Sequence, residues 1–268
     1  MTFFVYDGSF EGLLTAVFDV YVRRAEPARL VPAAGYQPDA LGESTVVFTD
    51  ETKANRVWRG LQKRISTAAL VNVYACYLSE LPEREELLLS FVRQVFAAPE
   101  TAPGRVEENY GSPAVLRVAQ LGRQLFREKH RFEAFVRFQQ LRDGSFYATI
   151  DPDFNVLPLI TAHFVQRYAD QVWIIYDARR KYGVYYDKTE AREVRFDFAP
   201  PDQPAEDPGP VYDEQEELYQ LLWRVYFQNV NIPARRNPKL HRRHVPIRYW
   251  KYLLEKQPRE RPTGRKDD

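Results

Sequence analysis

Five side chains near the middle of the chain have the types and spacing for acid–base chemistry: Glu128, His130, Asp151, Asp153 and Asp177. A carboxylate beside an imidazole can take up and return a proton. On a helix, however, Glu128 and His130 stand two residues apart and so face different ways. Asp151 and Asp153 follow a strand and can both point to one edge, although acids at strand ends are also the usual turn formers. An enzyme would draw its acid–base group from His130, Glu128 or Asp177. Metal chemistry has thinner support. His241 and His244 are three apart, and His130 and His163 are the only other histidines. Zinc takes three or four ligands, and Arg242 and Arg243 between the pair oppose a bound cation. We expect no metal and no cofactor. Gly-rich phosphate loops and a nucleophile elbow are absent.

Basic and aromatic residues offer a different chemistry. Between Arg127 and Asp187 they interleave more tightly than elsewhere: Phe132, Phe135 and Phe138 among Arg127, Lys129, Arg131 and Arg137, then Trp173, Tyr176, Tyr182, Tyr185 and Tyr186 around Arg179, Arg180 and Lys181. Cations suit phosphates and ring faces suit bases. A second basic stretch, Arg235-Arg236-Asn237-Pro238-Lys239-Leu240-His241-Arg242-Arg243-His244, follows the acid-only run 201–217. The expected nucleic-acid contacts are Arg127, Arg131, Arg179, Arg180, Lys181, Arg235, Arg236, Arg242 and Arg243. The competing reading makes the rings core and the cations solvated surface. Strand alternation favours that reading for some of the Phe residues.

Periodicity supplies the elements that must position these groups. Phe3–Tyr6 reads as a strand, and Ser9 caps a helix with Leu13, Leu14, Val17, Phe18 and Tyr21 on one face. Pro27–Gly42 reads as a loop and Thr45–Phe48 as a second strand. Helices follow from Thr49, over Thr67–Leu78 and Glu83–Phe96, and from Ser112-Pro113 to about His130. Glu133–Leu141 and Phe146–Ile150 form a hairpin around Arg142-Asp143-Gly144-Ser145. A helix over Val156–Tyr168 leads to strands Gln171–Tyr176 and Gly183–Tyr186, with an edge strand over Glu193–Phe198. The fold class is α+β: a helical N-terminal half, a central β-β-α-β-β antiparallel sheet unit and a helical basic C-terminal segment. Residues 1–198 form the core (helical over 1–130, sheet-containing over 131–198), 199–212 a Pro- and acid-rich linker, 213–256 the basic segment with a last helix opening at Val245-Pro246, and 257–268 a disordered tail.

Several patterns point to one family. Arg127-x-x-His130-Arg131-x-x-x-Phe135-x-Arg137-Phe138, Leu157-Pro158, Gln171-x-Trp173-x-Ile175-x-Asp177 and Tyr185-Tyr186-Asp187 together resemble the bacterial DUF4130 family. Tyr6-Asp7-Gly8-Ser9-Phe10-Glu11-Gly12 resembles its opening. The resemblance implies a role in DNA metabolism beside a radical-SAM DNA-repair protein, sometimes with fusion to a uracil-DNA glycosylase-like domain. It brings no catalytic residues with it.

Composition narrows the rest. With 268 residues, 44% of them hydrophobic, the chain can bury a sizeable core. Its single cysteine, Cys76, rules out an internal disulfide framework and an iron–sulfur cluster of its own, so it is not itself the radical enzyme. No apolar run reaches membrane-spanning length and no signal peptide is visible, which predicts a cytoplasmic protein. A net charge of +1 says nothing about DNA, whereas its distribution does. The leading expectation is a DNA-binding accessory protein with DNA and the radical-SAM protein as partners. A glycosylase- or nuclease-like enzyme and a protein–protein scaffold are the alternatives.

Overall fold

In the computed structural model of the chain the described residues are 1–37, 43–99, 106–195, 213, 215, 216, 218–220, 222 and 242–256. The expected linker, the terminal tail, Arg235, Arg236 and His241 lie outside them. The chain divides into two units, 1–127 and 128–268. The division falls inside one long helix.

The first unit is built on three parallel strands in the order β2-β1-β3: β1 (Thr2–Tyr6), β2 (Ala28–Pro32) and β3 (Glu43–Val46). Helix α1 (Phe10–Arg23) links β1 to β2, and the Ser9 hydroxyl accepts from the Gly12 amide as its cap. Helices α2 (Glu51–Gln62), α3 (Thr67–Leu78) and α4 (Arg84–Ala97) follow. Phe4, Tyr6, Leu13, Leu61, Leu88 and Phe91 are fully buried and make its core. Two expectations need correction here. The cap of α2 is Asp50, which accepts from Thr52 and Lys53, rather than Thr49. The loop expected over 27–42 contains β2. That strand has only Leu30 buried and ends on Pro32, so its identity comes from pairing with β1 rather than from its own alternation.

Helix α5 (Pro113–Phe135) crosses from the first unit into the second. Beyond it stands a five-stranded sheet in the order β4-β5-β6-β7-β8: β4 (Gln139–Gln140), β5 (Phe146–Ile150), β6 (Trp173–Asp177), β7 (Tyr182–Tyr186) and β8 (Ala191–Val194). Helix α6 (Leu157–Arg167) lies between β5 and β6 in sequence. The α+β class and the β-β-α-β-β order therefore stand. The expected antiparallel sheet is instead mixed, because β5 and β6 run parallel across the α6 crossover. Phe138 packs edge-on against Phe164 and Tyr168, at 5.7 and 5.4 Å between ring centres, and beside the buried Trp173.

The strand expected over Glu133–Leu141 shrinks to Gln139–Gln140, and Glu133–Phe135 continue α5. Glu133 pairs with Lys129 one turn earlier, while Phe132 and Phe135 pack on Tyr249. A helical partner distant in sequence thus overrides the strand preference of a Phe- and Val-rich run. Asp213 and Glu216 attach to the edge of β4, the Asp213 amide donating to the Gln140 carbonyl and the Gln140 amide to Glu216. The expected last helix is also different. Ile247–Tyr252 and Leu254–Lys256 are short 3-10 turns, begun by Pro246 and pinned by the Trp250 indole N–H on the Val245 carbonyl.

Candidate functional site

The acids and bases of the second unit meet around one loop, Asp151-Pro152-Asp153-Phe154, between β5 and α6. Asp-Pro ends the strand, since proline brings no ladder donor. The turn between β6 and β7 reaches the loop from one side. Asp177 closes that turn on itself, its Oδ1 accepting from the Arg179 and Arg180 amides at 2.9 and 3.0 Å. Lys181 completes it in the left-handed region, with φ 56°, its amide donating to the Asp177 carbonyl. The Arg180 guanidinium then folds inward. It donates to Asp177 Oδ2 at 3.0 Å, to the Pro152 carbonyl at 3.2 Å and to the Asp153 carbonyl at 3.0 Å.

Helix α5 meets the same loop through Glu128, which is only 1% exposed. Its carboxylate accepts from the Asp153 and Phe154 amides, from the Tyr249 hydroxyl and from Arg248, at 2.9 to 3.2 Å. Tyr249 is held from above by Phe132 and Phe135. In the 3-10 turn, residues three apart eclipse. Arg248 and Lys251 consequently project together and reach Asp153 and Asp151, the latter pair at 2.6 Å. Arg179 completes the cluster, at 3.2 Å from both Asp151 and Asp153. The hydrogen bond from Lys251 holds the Asp151 carboxyl below the usual carboxylate range, helped by the charges of Lys251 and Arg179. Asp151 in turn raises Lys251. Burial pushes the Asp177 carboxyl the other way, upward, against the pull of Arg180.

This geometry places the expected residues in distinct roles. Glu128 and Asp177 are brought to opposite sides of one loop, but each is enclosed and each oxygen is already used. His130 is not with them: its side chain is 87% exposed on the far face of α5, with only Glu133 at 3.9 Å. The acid–base trio is therefore not assembled. Arg180, with a side chain 10% exposed, spends its guanidinium inside the fold, whereas Arg179 beside it is 48% exposed. Arg127 and Lys181 are exposed, and Arg131 is half-buried and bonded to Tyr249. Arg242 and Arg243 are exposed in a helical turn at 242–244. Phe132, Trp173, Tyr176 and Tyr186 are core, so these rings pack inward, while Phe135, Phe138, Tyr182 and Tyr185 are partly buried. Arg248 and Lys251 are cluster members that sequence reasoning did not single out. Their three-residue spacing was visible, but their partners Glu128, Asp151 and Asp153 lie far away in sequence. Among the described residues no three His, Cys, Asp or Glu side chains form a metal-binding group, and no helix is long and apolar enough to cross a membrane.

The chain matches the profile of the family described as a domain of unknown function, DUF4130, over residues 82–255. That match covers well over half of the chain, which belongs to the DUF4130 family. It takes in the whole cluster from Glu128 to Lys251. Comparison with curated proteins and with solved structures returns no match.

Proposed function

We propose that the chain is a DNA-binding accessory protein of bacterial DNA metabolism, working with a radical-SAM repair enzyme. One observation carries the DNA part. Three half-exposed cations from two distant segments, Arg179, Arg248 and Lys251, converge on the two carboxylates of Asp151 and Asp153. Lys181, Arg242 and Arg243 extend the basic character of the same segments at the surface. Phosphate oxygens carry the charge to substitute for these carboxylates, and guanidinium groups favour such oxyanions. The partner follows from the family resemblance alone. A glycosylase- or nuclease-like activity has less support, because Glu128 and Asp177 are enclosed and His130 stands apart.

Fluorescence anisotropy with labelled single- and double-stranded oligonucleotides, over a salt series, tests the proposal. Each phosphate contact adds about 0.9 to the log–log salt slope on duplex. Arg179→Ala/Lys251→Ala should lower that slope by about 2 and weaken binding uniformly across sequences. A salt-independent affinity, or an unchanged slope in the double variant, would move the reading to a protein–protein scaffold. Arg235→Ala/Arg236→Ala, in the neighbouring basic stretch, gives the second arm.

A further inference from the structure

The first unit holds a separate groove between the N-terminal halves of α1 and α2. It encloses about 270 Å³. That is room for a small organic ligand. Phe10 and Trp58 form its apolar wall, their rings edge-on at 5.6 Å, with Leu14 and Ala54 beneath. Tyr74 and Tyr77 back Phe10, both at 5.1 Å between ring centres. Glu11, Glu51 and Asn55 form the polar rim. Their side chains make no hydrogen bond or ion pair to another described residue, although the Glu11 main-chain carbonyl accepts from the Thr15 hydroxyl at 2.8 Å.

Two explanations compete for Glu11 and Glu51. Each sits in the first turn of its helix, where a carboxylate complements the positive helix end. A helix end carries about half a positive charge, so two ends leave the two carboxylates with a net charge of about −1. Two of the three cations of α2 have partners elsewhere: Lys53 is bonded to Asp19 at 2.8 Å, and Arg56 lies over Phe18 at 5.1 Å; the third, Arg59, stands in the last turn, away from the helix start. Burial raises the Tyr74 hydroxyl, and the negative charge of Glu11 adds to that rise. Aromatic rings and surplus negative charge around a small groove suit one chemical class.

We propose that this groove binds a small organic ammonium ion, with Trp58 and Phe10 facing the cation and Glu11 and Glu51 neutralising it. Ring faces attract such cations through their quadrupole, most strongly in Trp. The site is independent of the DNA surface, so either proposal can fail alone.

The test is calorimetric titration of the full chain with choline, with its neutral isostere 3,3-dimethylbutan-1-ol, and with adenosine. Choline should bind at least about tenfold more tightly than the isostere, a ratio set by the cation–ring attraction. Glu11→Gln/Glu51→Gln, at exposed positions where folding is not at stake, should weaken choline about five- to tenfold and leave the isostere unchanged. Trp58→Phe should weaken choline and remove the accompanying change in tryptophan emission. Equal binding of choline and its isostere, a double variant that binds like the wild type, or no binding of choline at all would each overturn the proposal. Preference for adenosine would overturn it too, in favour of a base-stacking site.

Discussion

Replacing Glu128 separates a structural carboxylate from a catalytic one. The side chain is enclosed and accepts four hydrogen bonds, two of them from backbone amides of the 151–154 loop. In Glu128→Ala those two amides lose their acceptor, at about 1–3 kcal/mol each when water cannot replace it. Tyr249, buried behind Phe132, loses the acceptor for its hydroxyl. Arg248 is half-exposed and can turn to solvent, so its share is close to zero. The expected loss is about 3–5 kcal/mol. Glu128→Gln keeps the shape and one carbonyl oxygen. With that oxygen at the Oε1 position, where three of the donors meet, only the Phe154 amide is left facing an amide NH2. The expected loss is then about 1–2 kcal/mol. Urea unfolding followed by tryptophan emission measures both. A Trp58→Phe background removes the one tryptophan of residues 1–127 and leaves Trp173, Trp223 and Trp250, all in the second unit, to report on it. At a slope of about 2 kcal/mol/M, the Ala variant should lower the midpoint by about 2 M and the Gln variant by less than half of that. An Ala variant within about 0.3 M of the wild type would refute the structural role and return Glu128 to the candidates for proton transfer.

Three further outcomes follow from described geometry. Burial pushes the Cys76 thiol from 9.0 up to about 12, so native protein at pH 8 should react with a thiol reagent about a thousandfold more slowly than unfolded chain; comparable rates would show that α3 opens freely. At Gly12 an added Cβ would lie 2.1 Å from Asp7 Oδ1 and 2.8 Å from Thr49 Oγ1, so Gly12→Ala should lower the thermal midpoint, by about 1–3 kcal/mol equivalent, despite the better helix propensity of alanine; a higher midpoint would contradict the packing. Asp151 is lowered and Lys251 raised, so their attraction is complete between about pH 4 and 10, fading as pH falls through the depressed acid value or rises through the elevated amine value. Both groups are partly exposed, so the stability difference between wild type and Asp151→Asn should be under about 1 kcal/mol in that window, shrink in high salt and vanish in strong acid; a difference that persists in acid would assign it to something other than charge.

Local rules recovered much of the second unit. The Asp-Gly turn and the strands β5, β6 and β7 depend on neighbours in sequence, as does the Ser-Pro start of α5 in the first unit. What escaped depends on partners far away. Nothing in Glu133-Ala134-Phe135 announces that Tyr249 will make it helical, and nothing in Ala28–Pro32 announces β1 as its partner. The candidate site divides in the same manner. The i, i+2 spacing of Glu128 and His130 already placed them on different faces, as found. The density of cations around Arg179 suggested a surface, yet only the fold reveals that Arg180 turns inward while Arg179 does not. The bend of 247–252 into a 3-10 turn, which aligns Arg248 with Lys251, is set by Tyr249 docking on α5 rather than by the helical spacing of its apolar residues.

The route by which Glu128 is satisfied has a consequence during synthesis. Its amide partners follow it by 25 and 26 residues, but Tyr249 comes 121 residues later. At 5–20 residues per second the ribosome needs roughly 6–24 s to cover that interval. Throughout it, the nascent chain carries a carboxylate on an otherwise apolar helix face with half of its donors still unmade. The clamp on Glu128 therefore cannot close until Arg248 and Tyr249 have been made, and a ribosome stalled short of residue 248 would hold the loop at 151–154 without it.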